Sequence, residues 1–71
     1  MSRLLRFGFV GAGEIAVVSA EAVREASNAS LVAVFDVRAD LADDLAARSD
    51  GRAVASLEEI LAAPDVDAVY I

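Results

Sequence analysis

The residues Gly11-Ala12-Gly13-Glu14-Ile15-Ala16, together with Asp36 twenty positions after Ala16, have the types and the spacing to hold a nucleotide. Gly11 permits a tight turn, Gly13 removes the side chain that would keep a pyrophosphate from the backbone, and small Ala16 lets a helix pack closely on a strand. The backbone N–H groups of such a helix's first turn, around Gly13 to Ile15, face an anion together with the positive end of the helix dipole. Asp36, at a strand end, can accept hydrogen bonds from the ribose hydroxyls of adenosine. The bland alternatives are a glycine turn without a ligand and an aspartate that only caps its own turn. Finding both halves of the fingerprint in register favours the dinucleotide.

The Asp36 carboxylate repels a 2′-phosphate, so the sequence favours NAD over NADP, while Arg38 is the residue able to offset that by pairing with such a phosphate. Glu14 suits the start of a helix, but its charge opposes a pyrophosphate, so its side chain is expected to face solvent. The candidate cofactor-binding residues are Gly11, Gly13, Glu14, Ile15, Asp36 and Arg38. No catalytic residue and no metal ligand is assigned. Asp40, Asp43 and Asp44 read as a solvated helix face, with Asp44 four residues before Arg48. Tyr70 lies in an apolar run without a recognisable Lys or Ser partner, which favours packing over proton transfer.

The elements that must position these residues follow from periodicity. Phe7-Gly8-Phe9-Val10 reads as a buried strand entering the glycine turn. From Glu14 to about Ala26, the residues Ile15, Val18, Ala22, Val23 and Ala26 fall at helical spacing and form the expected inward face, with Asn28 as a stop. Leu31-Val32-Ala33-Val34-Phe35 is apolar throughout, as in a central parallel strand. A second helix from about Ala39 to Arg48 turns Leu41, Ala42, Leu45 and Ala46 inward, and Gly51 supplies the break. Ala53-Val54-Ala55 forms a short third strand. Ser56-Leu57-Glu58-Glu59 is a capping box opening a third helix with Ile60 and Leu61, which Pro64 ends. Asp67 to Ile71 begins a fourth strand. The order βαβαβαβ predicts an α/β fold: a partial doubly wound parallel sheet of Rossmann type, order 3-2-1-4, occupying residues 1–71 as the N-terminal part of a dinucleotide-binding domain.

Composition narrows the function classes. The chain has 71 residues, 58% of them hydrophobic, with no cysteine and no histidine. It therefore lacks the disulfides or metal sites that usually staple a mini-protein, and reads as a slice of a larger parallel sheet with the rest of its domain and a substrate domain elsewhere. On that reading the fourth strand is an edge where a further strand would pair. A net charge of −6 with scattered arginines argues against nucleic acid or an anionic membrane as partner. Arg6, Glu14, Glu21 and Arg24 interrupt the first apolar region, which excludes a membrane span there. Arg3 and Arg6 before an apolar run, with Val18-Ser19-Ala20 beyond, loosely imitate a signal peptide, but Glu14 and the glycines contradict it. A cytoplasmic location is expected.

The chain resembles the glucose-fructose oxidoreductase, inositol dehydrogenase and MocA-like oxidoreductases. The resemblance runs from the Phe7 strand through Gly-Ala-Gly-Glu-Ile-Ala at 11–16, Val-Phe-Asp ending at Asp36, and Ser-Leu-Glu-Glu-Ile-Leu at 56–61. Its most telling part is Pro64-Asp65-Val66-Asp67-Ala68-Val69-Tyr70-Ile71. It implies an enzyme that moves hydride between NAD(P) and a hydroxyl-bearing carbon of a sugar, cyclitol or related small molecule, with these 71 residues alone expected to be inactive. It also implies a following α/β substrate domain, homo-oligomeric assembly, and a catalytic lysine in a Glu-Lys-Pro motif beyond Ile71. Ser19 departs from the family, many of whose members have a histidine there. Two other readings stay open: a non-catalytic module that binds or senses a dinucleotide, and an imine or aldehyde reductase with the same opening fingerprint.

Overall fold

The computed structural model describes residues 4–71, so Arg3 lies outside the described residues. The elements alternate as β1 (Leu5–Val10), α1 (Glu14–Glu25), β2 (Ala29–Phe35), α2 (Ala39–Ser49), β3 (Arg52–Ala53), α3 (Leu57–Ala62) and β4 (Ala68–Tyr70). All pairings are parallel and the sheet order is β3-β2-β1-β4, the expected arrangement. The segment from Arg6 to Ala20 that loosely imitates a signal peptide is β1, the glycine turn and part of α1. No described helix is long and apolar enough to cross a membrane.

A bulge divides the core between the faces of the sheet. Phe7 pairs with Leu31 but Gly8 pairs with Ala33, so Val32 is an extra residue in β2 and the inward alternation changes phase there. Phe9, Leu31 and Val34 join Ala16 and Ala20 of α1 and Ala42, Leu45 and Ala46 of α2 in one buried cluster, with Phe7 packed against it. Gly8 serves the opposite side. A Cβ built there would lie 3.0 Å from Ile60 Cγ2 and 3.1 Å from Val66 Cγ1, so the missing side chain is what lets α3 and its exit approach β1.

The structure corrects several details. Helix α1 does not bury the face expected of it: Ile15 and Val18 are 75% and 67% exposed, and Ala22 and Ala26 are also exposed. The inward stripe is Ala16 and Ala20, flanked by Val17 and Val23, because small residues bring the helix close to the sheet beside the turn. Helix α2 ends as expected in position but not in mechanism. Asp50, not Gly51, takes the left-handed conformation (φ 60°), which aspartate tolerates. Gly51 instead allows close passage over β2, where an added Cβ would lie 3.0 Å from the Leu31 carbonyl oxygen. Strand β3 begins a residue earlier than expected and spans only Arg52–Ala53, although the Val54 N–H still donates to the Val34 carbonyl. At α3, Ser56 Oγ accepts the Glu59 N–H at 3.2 Å, while the Glu59 carboxylate accepts from the N–H of Ala55 rather than that of the cap residue itself.

Candidate functional site

The glycine turn sits at the C-terminal end of β1, between the ends of β2 and β4. Its shape depends on Gly11, whose φ of 113° is a conformation that residues with a Cβ rarely adopt. The Gly11 N–H donates to the Phe35 carbonyl at 2.7 Å, which fixes the turn to the end of β2. Gly13 then caps α1 with φ −78°, an ordinary value, so its backbone does not demand glycine. The space around it is open: at Gly13, as at Gly11, an added Cβ would meet no protein atom within 4 Å. Having no side chain, Gly13 also leaves the first-turn N–H groups of α1 without a side-chain cap. The turn, the first residues of α1, and Tyr70 and Ile71 line an open cleft of about 430 Å³.

Asp36 is half-buried immediately after β2. One carboxylate oxygen, Oδ2, accepts the Ala12 N–H at 2.8 Å, across 24 positions of sequence. The other, Oδ1, accepts the Arg38 N–H at 2.8 Å. The aspartate therefore does cap its own turn, and it also ties that turn to the glycine loop. An ionised carboxylate has about four acceptor sites, so two such bonds leave capacity for ribose hydroxyls. The role of Ala12 was invisible in the sequence, because a backbone donor carries no residue signature.

The remaining candidates fall into place around this core. Glu14 is exposed, as the sequence reading expects, and is among the residues that line the cleft. Ile15, in the first turn of α1, also lines the cleft. Arg38, the N-cap position of α2, is not among the residues that line the cleft, and its guanidinium pairs with Asp40, Nη2 to Oδ2 at 2.9 Å. That hydrogen bond, opposed by a smaller desolvation effect and aided by the arginine's charge, holds the Asp40 carboxyl below its ordinary value.

Tyr70 packs as the sequence suggests, its ring centroid 5.0 Å from that of buried Phe9. A partner that the sequence did not reveal is Ser19 of α1, whose Oγ donates to the Tyr70 hydroxyl at 3.0 Å, joining α1 to β4. Asp44 pairs with Arg48 at 3.2 Å, as expected of a solvated helix face. Among the described residues no group of three or more His, Cys, Asp or Glu side chains is placed to hold a metal ion. A second cleft, about 290 Å³, lies between α1 and α2 and is the groove between two helix flanks, remote from the turn.

The residues present fit a dinucleotide by three independent features. The space before Gly13 lets a phosphate reach backbone, the uncapped helix start offers N–H donors with a favourable dipole, and Asp36 presents acceptors fixed to the same loop. All lie outside the carboxyl ends of the strands, where open α/β sheets bind ligands.

Comparison with known proteins agrees with this geometry. The model of the GFO_IDH_MocA family, described as an oxidoreductase family with an NAD-binding Rossmann fold, matches residues 5–71. The inositol 2-dehydrogenase of Rhizobium meliloti (strain 1021) is 43% identical over 67 residues, which make up 94% of this chain and 20% of that protein. The WlbA dehydrogenase of Bordetella pertussis, solved in complex with NADH and UDP-GlcNAcA, superposes with a TM-score of 0.86 at 29% identity, over 100% of this chain and 21% of that one. KijD10, a 3-ketoreductase of Actinomadura kijaniata solved with NADP, superposes with a TM-score of 0.89 at 28% identity, over 97% of this chain and 22% of that one. The chain thus spans about a fifth of the length of these relatives.

Proposed function

The chain belongs to the GFO_IDH_MocA oxidoreductase family with its NAD-binding Rossmann fold, and from that premise we propose that it is the dinucleotide-binding N-terminal part of an enzyme acting on a sugar, cyclitol or related hydroxy or carbonyl compound. When bound, the nicotinamide supplies the carbon that accepts or donates hydride. The observation that carries the assignment is the pairing of open backbone at Gly13 with the Asp36 carboxylate bonded to the same loop. In this reading the N–H groups of Glu14 and Ile15 and the α1 dipole hold the pyrophosphate, Gly11 sets the turn, and Asp36 accepts from the adenosine ribose. Polyhydroxylated compounds in the names of the relatives, an inositol and a nucleotide sugar acid, support the substrate class.

The group that moves the substrate proton is proposed to lie outside these 71 residues, which include neither lysine nor histidine. The Tyr70 hydroxyl accepts a hydrogen bond from Ser19 Oγ, and its ring packs on Phe9. The substrate domain, homo-oligomeric assembly and cytoplasmic location belong to the same proposal. A nucleic-acid partner is disfavoured because Arg6, Arg38, Arg48 and Arg52 are each paired with an aspartate in an acidic chain.

Relatives carry NADH in one case and NADP in another, so the cofactor preference of this chain rests on its own residues. Asp36 sits where a 2′-phosphate would be repelled, which favours NAD. Titrating the full-length protein with NADH and NADPH tests this: NADH should bind more tightly, and Asp36→Ala should weaken NADH about tenfold or more by removing hydrogen bonds to a charged group, while narrowing the gap to NADPH. Equal or tighter binding of NADPH by the unaltered protein would overturn the preference.

A further inference from the structure

Asp36, Arg38 and Asp40 occupy alternate positions from the end of β2 into α2, and they are connected in series. Asp36 Oδ1 accepts the Arg38 N–H at 2.8 Å, which fixes the arginine's backbone beside the ribose-facing carboxylate. The Arg38 side chain then reaches forward to Asp40, Nη2 to Oδ2 at 2.9 Å. Asp40 is well placed to hold it: its carboxylate lies in the first turn of α2, where the helix dipole favours negative charge.

Arg38 is thus the cation two residues from the ribose-facing carboxylate, yet its guanidinium is engaged by the carboxylate of Asp40. A 2′-phosphate on a ribose held by Asp36 gains an attractive partner only if Arg38 leaves Asp40. We infer that Asp40 is a specificity-determining residue acting through Arg38: it withholds the guanidinium from a 2′-phosphate and so enlarges the preference for NAD that Asp36 begins. The inference rests on the reading of Asp36 as the ribose acceptor. It adds that the preference is set by this series of three side chains, with Asp40 contributing without touching the cofactor.

The pair is exposed on both sides, with side-chain exposures of 66% and 66%, so its expected effect is modest. The experiment is a double-mutant cycle on the full-length protein: unaltered, Asp40→Asn, Arg38→Ala and both together, each titrated with NADH and with NADPH at one fixed, low ionic strength. Asp40→Asn should tighten NADPH binding about three- to fivefold, as expected for release of an exposed ion pair, and should change NADH binding less than about twofold. In the Arg38→Ala background the same substitution should leave NADPH affinity within about twofold, since no guanidinium remains to be released.

Each alternative result is decisive. An equal gain in NADPH affinity with and without Arg38 would mean that Asp40 acts only as a negative charge, and would overturn the coupling. Parallel changes in both nucleotides, or no change in either, would remove Asp40 from cofactor choice. If the unaltered protein binds no NADH, the dinucleotide reading itself fails, and this inference fails with it. Unchanged NADH affinity in Asp40→Asn serves as the control for folding.

Discussion

The two ends of the sheet are built differently. At the N-terminal ends of the strands, charges are matched within the protein. Arg6 donates to Asp67 through both its backbone N–H and its guanidinium, at 2.9 to 3.1 Å, and the Asp67 N–H returns a bond to the Arg6 carbonyl at 2.8 Å. Arg52 holds Asp65 through two bonds at 2.7 and 2.8 Å. These contacts fasten the entry of β4 to the starts of β1 and β3. At the C-terminal ends, the Asp36 carboxylate accepts from the backbone N–H groups of Ala12 and Arg38, the surroundings of Gly13 are open, and a helix start lacks a side-chain cap. At one end arginines close the carboxylates of Asp67 and Asp65, whereas at the other Arg38 pairs with Asp40 but the Asp36 carboxylate and the start of α1 keep acceptors and donors available to a ligand.

The largest expected effect that can break this comparison is at Gly13. Gly13→Val should abolish detectable NADH binding by the full-length protein, a loss of about a hundredfold or more, because the branched side chain fills the space through which phosphate approaches the backbone. The fold should survive, since the position has ordinary φ and open surroundings, with only the modest cost of a poor helix cap. Retained affinity in a variant with a native circular-dichroism spectrum would reduce the turn to a structural device.

Arg6→Ala tests the opposite end and should give the opposite pattern. It strips the Asp67 carboxylate, whose side chain is 12% exposed, of its guanidinium partner. Thermal unfolding should move down by several degrees, while NADH affinity in the folded protein stays within about twofold. A large loss of cofactor affinity at unchanged thermal midpoint would show that the two ends are not separable.

The smallest expected effect is the pH dependence of the Arg52 and Asp65 pair. The hydrogen bond from Arg52 leads the causes that hold the Asp65 carboxyl below its ordinary 3.8. A carboxyl depressed in the folded state stabilises the protein above its unfolded value, and that contribution is lost as pH falls from about 3.8 through the lower folded value. Acid unfolding of Arg52→Met should therefore be less steep in that window than that of the unaltered protein, and 1 M salt should reduce the difference because both side chains are exposed. Identical acid transitions would remove this pair from the stability of the N-terminal end.

Local features of the candidate site were legible in the sequence. Gly11 was recognised as a turn residue and has the positive φ that such a turn requires. The apolar run to Phe35 ended in Asp36 at a strand end, because a fully apolar stretch can be satisfied only between other strands. Contacts between residues that spacing cannot relate are not legible in the sequence. Ser19 and Tyr70 are 51 positions apart, and Arg6 and Asp67 are 61 apart. The inward face of α1 differs from the expected one for a related reason: Ile15 and Val18 lie on a stripe adjacent to that of Ala16 and Ala20, and periodicity finds an apolar stripe without saying how closely the helix must approach the sheet.

By itself the sequence determined the order of strands and helices, the site of the tight turn and the placing of an acidic group after the second strand. Each of these follows from local rules: backbone sterics at glycine, capping at Ser56, and burial periods of 2 and 3.6. Only the tertiary structure decided that the extra residue Val32 shifts the core pattern of β2, that Gly8 makes room for Ile60, and that Asp36 reaches across to the N–H of Ala12. Those outcomes depend on register and on the distance between layers, which the packing of side chains from separate elements sets together and no single segment encodes.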